Sequence, residues 1–451
     1  MPIDFFMAPK KSIWISFLSL IFFGGAFMDF YNNLNAFISS VRQRFSSKEF
    51  CETYRNSENS FTRNRKLSFP AIFSFLLSCP NHTLASDLDT FMTLAFPHKA
   101  VSVSKQAFSA SRRHISDAAF QEIFRFSRSL ASMNSNPKLW HGHCVKAIDG
   151  TTFRLPNTPE NRKEFLAQKN QNAEYAMAKS SVLFDLSHDI IEDAILSHCH
   201  ESEKNQALTL LNHEISTPGS RKRSIILFDR GYPSRELLRE LWHHNYLFLM
   251  RCSSSFLKKV NEAGEGDTII TYFYKKELFH LRVIKFLLPT GEMEVLITNI
   301  MEPYSVEEFK DLYHWRWGIE GKYRELKQQI KLENFSGKKP IMIRQDFYAS
   351  LFMANLIAVF KSQSDCFIQK STQGKRLKYE YQTNRNFLTG LLVGNYQLFM
   401  KKEDWLLQKI TQIINKAQKE RSPIRPGRSI ERSFRMPSKI SLYPSNLRCT
   451  I

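Results

Sequence analysis

The sequence predicts an α/β protein with an all-β insertion and helical regions on either side, and three observations carry that reading. Between residues 143 and 253, short apolar runs alternate with amphipathic stretches, the pattern of strand and helix taken in turn. Two of the apolar runs end in an aspartate with glycine close behind: Val145 to Phe153 reads VKAIDGTTF, and Ser224 to Ser234 reads SIILFDRGYPS. Downstream, Tyr313 to Lys331 reads YHWRWGIEGKYRELKQQIK, free of proline and helical in period. With 451 residues, 43% of them hydrophobic and only 16 glycines, the chain can bury a sizeable core and reads as globular rather than disordered.

Taken in order, the chain opens on residues 12 to 28, SIWISFLSLIFFGGAFM, which carry no charge and follow Lys10 and Lys11. Such a stretch is at the lower edge for a membrane span, and its basic flank also suits a signal peptide. A third reading starts translation at Met28, so that the preceding residues are an upstream extension. We take that reading, or a buried helix, over membrane insertion, and set residues 1–31 apart as an apolar extension. Residues 32–138 are helical in pattern. FTRNRKLSFPAIFSFLLSCP, 61 to 80, joins a basic entry to an apolar helix after Pro70. In SVSKQAFSASRRHISDAAFQEIFRF, 102 to 126, Ser104 is a helix cap and Ala107, Phe108 and Ile115 form a packing face. Lys105, Gln106, Arg112 and Arg113 lie around that face, either touching DNA or forming an ordinary basic surface.

From 143 onward HCVKAIDGTTFRL is a strand, and KSSVLFDL and IIEDAILSH are a hairpin around Ser187, His188 and Asp189. EKNQALTLLNHEI is a helix, SIILFDRG a strand, SRELLRELWHHN a helix and YLFLMRCSS a strand. Three neighbouring strands, then helix, strand, helix, strand, is the order of a ribonuclease-H-like core. Residues 254–300 break the alternation with three strand-like runs and are read as an all-β insertion within a domain spanning 139–345. After FSGKKPIMIRQDF comes an apolar helix from Phe347 to Phe360; Lys361 to Arg385 reads as a polar loop. Two further helices precede a tail in which residues 421–451 hold seven Lys or Arg against one acid, with four prolines. That composition is extended and suited to lie along phosphates. Residues 346–451 form this helical C-terminal region with its basic tail.

The balance of 63 Lys plus Arg against 43 Asp plus Glu gives a net charge of +20, which points to a polyanionic partner, nucleic acid first. Ribosome-associated and membrane-surface proteins share such a balance. The seven cysteines are scattered without a C-x-x-C pair, so neither a disulfide framework nor a zinc module is predicted, in keeping with a reducing cytoplasm. His198-Cys199-His200 is read as structural, since neighbouring residues on a strand face opposite ways.

In the Tyr313 to Lys331 stretch, a turn of 100° per residue places Tyr313, Arg316, Glu320, Lys327 and Lys331 within about 60° of one another. Trp315, Leu326, Ile319, Leu312, Ile330 and Tyr323 form an apolar stripe beside them. One acid among cations is equally the pattern of a solvated face with spaced ion pairs. The aspartates have a double reading too: at the carboxyl end of a buried strand Asp149 and Asp229 sit where α/β sheets place their chemistry, and Asp beside Gly also shapes turns. Arg230 and Tyr232 either support such a site or shape the turn after Asp229. Trp317 is the better base-stacking candidate, Trp315 belonging to the apolar stripe.

These residues together resemble a known family. Asp149 in D-G-T, Asp229 in D-R-G-Y, and Tyr313, Arg316, Glu320 and Lys327 at Tyr-x-x-Arg-x-x-x-Glu-x-x-x-x-x-x-Lys spacing look like the cut-and-paste DDE transposases of bacterial insertion sequences, the class named for its YREK motif. The resemblance runs from about Phe61 to about Phe399. It implies that Asp149, Asp229 and Glu320 are catalytic and hold two Mg²⁺ ions, with Mn²⁺ as a substitute, oxygen-only ligation suiting both. It also implies DNA contacts from Tyr313, Arg316, Lys327 and Lys331, supplemented by Arg230, Tyr232, Lys105 and Arg112, and an amino-terminal DNA-binding domain. The expected partner is double-stranded DNA at the element's ends and target, bound by at least a dimer when two ends are synapsed, in the cytoplasm with the nucleoid; membrane association is not expected. Alternatives are a metal-dependent nuclease on the same core, and a retired transposase that only binds DNA.

Overall fold

The computed structural model describes residues 25–63, 65–134, 137–169, 174–215, 224–400 and 403–425. Most of the apolar extension and most of the basic tail lie outside these. The first helices are α1 (Gly25–Ser46), α2 (Lys48–Tyr54), α3 (Phe69–Leu77), α4 (Leu84–Ala95), α5 (Lys105–Arg112) and α6 (Asp117–Phe126). Ser47, Ser68, Thr83, Ser104 and Ser116 stand before α2 to α6, and each side chain accepts a backbone N–H of the first turn. Among the described residues no helix is long and apolar enough to cross a membrane.

The sheet is built from β1 (Cys144–Arg154), β2 (Ala167–Lys169), β3 (Glu174–Asp185), β4 (Ile190–His198), β5 (Ser224–Phe228), β6 (Leu247–Arg251), β7 (Gly266–Tyr274), β8 (Glu277–Leu287) and β9 (Met293–Thr298). β3 pairs antiparallel with β1 and β4, while β1, β5 and β6 run parallel. The core order β4-β3-β1-β5-β6 is third, second, first, fourth and fifth strand, the ribonuclease-H-like arrangement. Its hairpin turns at Asp189, in the left-handed region at φ 62°. The insertion does not form a body of its own: β9 pairs antiparallel with β6, Leu249 opposite Thr298, so β7 to β9 extend the same sheet. Lys275 and Lys276, both at positive φ, make its two-residue hairpin turn.

Between the strands come α7 (Pro159–Glu164), α8 (Glu203–Ile215), α9 (Arg235–His243) and α10 (Lys258–Glu262). They are followed by α11 (Val306–His314), α12 (Trp317–Arg324), α13 (Pro340–Thr372), α14 (Arg385–Leu392) and α15 (Glu403–Ala417). The period-2 alternation of β1 and β5 feeds two layers. Ile148, Ile226 and Phe228 face α8 and α9 with Leu210, Leu211, Leu237 and Leu241. Val145, Ala147, Ile225 and Leu227 face a larger core that runs through α11 to α13 and takes in Phe73 and Phe120 of the amino-terminal helices. Phe73 and Phe120 stack at 4.1 Å between ring centroids, one pair in an aromatic-rich core. The polar segment after Phe360, read as a loop, continues α13 to Thr372: Gln363, Ser364 and Ile368 are buried, and tertiary contact overrides the polar composition.

Candidate functional site

Asp149 and Asp229 come from adjacent parallel strands. The β1–β5 ladder ends at Ala147 opposite Leu227; Asp149 follows two residues later on the same face of β1 as Ala147, and Asp229 directly follows β5. Glu320 comes from α12, held over β1 by Ile319 and Leu326, both fully buried, and by the Tyr323 hydroxyl, which donates to the Asp149 carbonyl at 2.6 Å. Below it, Lys322 is a buried cation 2.8 Å from Asp189 of the β3–β4 turn and 3.0 Å from Glu325, whose charge Arg385 of α14 also meets at 3.2 Å. The glutamate helix is thereby fastened to the hairpin and to the C-terminal region.

The single continuous helix expected over Tyr313 to Lys331 is instead three pieces. The backbone tightens to i→i+3 bonds at Trp315, Arg316, Gly318 and Ile319 between α11 and α12, and Glu325–Gln329 widens into a π-turn. Tyr313, Arg316 and Glu320 keep their common side. Lys327 and Lys331 do not follow the ideal wheel, because the π-turn shifts the phase and Lys331 lies beyond it at φ 58°.

Arg316 is the hub. Its guanidinium, with the side chain only 8% exposed, is 3.0 Å from Glu320 Oε1 and 3.8 Å from Asp149 Oδ2. Burial works against that charge, but Tyr313, Asp229, Asp149 and Glu320 outweigh it and hold the group more firmly protonated than usual. The Tyr313 hydroxyl donates to Asp229 Oδ1 at 3.3 Å, and burial keeps that phenol protonated. Burial pushes the Asp149 carboxyl up to about 6; the Gly150 N–H and Arg316 favour the anion, while Asp229 and Glu203 oppose it. A carboxylate the sequence reading missed, Glu294 of β9, is also shifted up by burial and feels Asp229 and Arg316, with Arg251 3.4 Å away. No sequence signal marked Glu294, which lies in the insertion.

Among the described residues no three His, Cys, Asp or Glu side chains stand close enough to enclose a metal as they are arranged. By donor chemistry the group nevertheless fits a hard cation: all acids are oxygen donors, they surround one cation already, and Asp149 is short of positive charge. His198 pairs with Glu201 at 3.2 Å and Cys199 is buried against Leu166, so that triplet is structural.

The remaining predicted contacts divide. Lys327 donates to Thr151 Oγ1 at 2.9 Å and the Thr152 carbonyl at 2.8 Å, so its ammonium is spent on β1, and burial lowers its pKa. Lys331, Arg230 and Lys105 are exposed, as is Trp317 at 49%. Two expectations are corrected. Tyr232 is 1% exposed, packed 5.5 Å from Phe228 in the core, and cannot reach DNA. Arg112 is fully buried, with bonds to Gln345 Oε1 at 2.9 Å, Asp346 Oδ1 at 2.9 Å, Met342 O at 3.1 Å and Ser336 Oγ at 2.5 Å. It ties α5 to α13 because burying a charge requires a partner, and α13 supplies one.

The profile of the transposase DDE domain matches residues 140–356, which enclose both aspartates and Glu320. Over these residues the chain is similar to the DDE transposases of bacterial insertion sequences. The chain is 24% identical over 298 residues to the transposase InsG for insertion sequence element IS4 of Escherichia coli K12, covering 62% of this chain and 65% of that protein. It is 30% identical over 189 residues to InsZ of the same organism, covering 40% and 60%. The matches thus span under two thirds of either relative's length. A solved synaptic complex of piggyBac transposase with hairpin DNA aligns at 14% identity and a TM-score of 0.46, over 91% of this chain and 92% of that one.

Proposed function

We propose that this chain cuts DNA at the ends of a mobile element and joins the freed 3′-hydroxyls to target DNA, with Asp149, Asp229 and Glu320 as catalytic residues and metal ligands. The gathering of three acids from three separate elements around Arg316 carries the reading. DDE transposases generally depend on divalent metal. Two Mg²⁺ ions, for which Mn²⁺ can substitute, would supply an activated water or 3′-hydroxyl and steady the leaving oxygen.

The chain's own residues do the rest. Tyr323 and the Lys322 cluster keep Glu320 facing β1, and Tyr313 orients the Asp229 carboxylate through its hydroxyl. Arg316 stands as counter-charge to the acids and, as a forked donor, is suited to exchange them for a DNA phosphate. Exposed Lys331, Arg230 and Lys105 add phosphate contacts, with Trp317 available to stack on a base. The partner is double-stranded DNA, with two copies needed to hold two ends, and the place of action is the cytoplasm, with the nucleoid.

The test is incubation of the purified chain with the DNA that flanks its own gene, in Mg²⁺, comparing wild type with Glu320→Gln. Cleavage is expected to vanish in the variant; cleavage at the wild-type rate removes Glu320 from the site. Supplying pre-cut ends and assaying strand transfer separates a transposase from a nuclease that only cuts.

A further inference from the structure

We propose that Glu203, in the first turn of α8, is a fourth acid of the cation site, reaching it across Gly150. This inference rests on the metal-dependent reading above and names a residue that reading does not contain. Glu203 lies on the opposite side of the sheet from α12, under the residue that follows Asp149. A Cβ at position 150 would stand 3.0 Å from Glu203 Cγ and Cδ and 3.2 Å from Oε1, so glycine lets the carboxylate sit here undisturbed and any larger residue makes it give way by a few tenths of an ångström. The Gly150 N–H in turn bonds the Asp149 carboxylate at 2.9 Å, which makes this glycine the wall between the two acids. Lys179 is Glu203's cation at 3.7 Å, a distance that leaves the pair loose, and Glu203 is 42% exposed on its side chain, so it is free to turn.

A second observation comes from Tyr232. Its side chain is 1% exposed, and its hydroxyl, near Ser181, finds no partner in hydrogen-bond geometry. The acids whose charges bear on that hydroxyl are Asp149, Glu203 and Asp229. A buried hydroxyl without a partner is costly unless something polar arrives beside it, and here the charges of three acids bear on it. A cation with its retained water meets both needs: it neutralises the acids and offers the phenol a partner. Glu203 thus sets how tightly the cation is held, alongside the ligands that come from β1, β5 and α12.

The experiment is calorimetric titration of the full chain with Mn²⁺ alone, without DNA, on wild type, Asp149→Asn, Glu203→Gln, Gly150→Ala and the Glu203→Gln/Gly150→Ala double variant, with circular dichroism to confirm folding. Glu201→Gln, whose carboxylate pairs with His198, is the control and should bind as wild type. Glu203→Gln is expected to weaken Mn²⁺ binding about 10- to 100-fold. Gly150→Ala, which makes the carboxylate give way without removing it, should weaken binding by less, and the double variant should be no worse than Glu203→Gln. If Asp149→Asn loses Mn²⁺ while Glu203→Gln and Gly150→Ala bind as wild type, Glu203 is an ordinary surface acid and the inference falls alone. If Asp149→Asn also binds as wild type, the cation-site reading itself is overturned.

Discussion

Replacing Arg112 with methionine tests whether this side chain serves the fold or the DNA. Methionine keeps most of the length and apolar stem and removes only the charged fork. The guanidinium is fully buried against Asp346, itself 10% exposed on its side chain, and is bonded to Gln345, Met342 and Ser336 as well. Removing one partner of a buried charge pair leaves the other uncompensated, at a cost of about 3–5 kcal/mol. Ser336, which also bonds the Asp346 carboxylate, softens that cost without abolishing it. Against a typical total stability of about 5–15 kcal/mol, the loss is about a fifth or more. With a urea slope of about 3 kcal/mol per molar, the unfolding midpoint followed by circular dichroism should fall by about 1 M or more, while DNA affinity per folded molecule stays as in wild type. A shift worth less than about 1 kcal/mol, together with weaker DNA binding and a shallower salt dependence, would refute the structural role and return Arg112 to the DNA interface.

Lys105→Ala, in the exposed first turn of the same helix, should do the reverse: stability within about 0.5 kcal/mol of wild type, and a salt slope of DNA binding reduced by about one. Arg316→Ala should bind Mn²⁺ several-fold more tightly in the absence of DNA, since the resident guanidinium no longer neutralises Asp149 and Glu320; unchanged or weaker binding in the titration contradicts its role as hub. Asp149 has its native pKa raised from 3.8 to about 6, so the folded state holds a proton the unfolded chain has released between those values. Its contribution is therefore fully present below about pH 4 and is lost as pH rises through about 6. Asp149→Asn should gain stability relative to wild type across that window, and denaturation curves at pH 4 and pH 7 with an identical difference argue against the shift. Lys322→Met removes the cation that pairs with both Asp189 and Glu325, leaving Arg385 as the ion pair they share, and should cost about 3–5 kcal/mol in thermal or chemical unfolding.

Much of the architecture followed from local pattern. The strand runs of β1, β3, β4 and β5, the Ser104 cap of α5 and the glycine after Asp149 are all decided within a few residues, because a strand's pattern and a helix cap depend on near neighbours. The same holds for the spacing of Tyr313, Arg316 and Glu320, which survives on one side of the helix even though the backbone between α11 and α12 is tightened. Other features had no local trace. Arg112 is a basic helix residue like any other until Asp346, distant in sequence, closes on it. The insertion became part of the catalytic sheet because β9 found the free edge of β6, and pairing of that kind depends on which edge is open. Glu294, Glu203 and the buried hydroxyl of Tyr232 acquired their electrostatic roles the same way. Periodicity assigns a side chain to one face of its own element; whether that face meets water, a counter-charge or another acid is set by the element packed against it, and a charge's energy depends almost wholly on that neighbour.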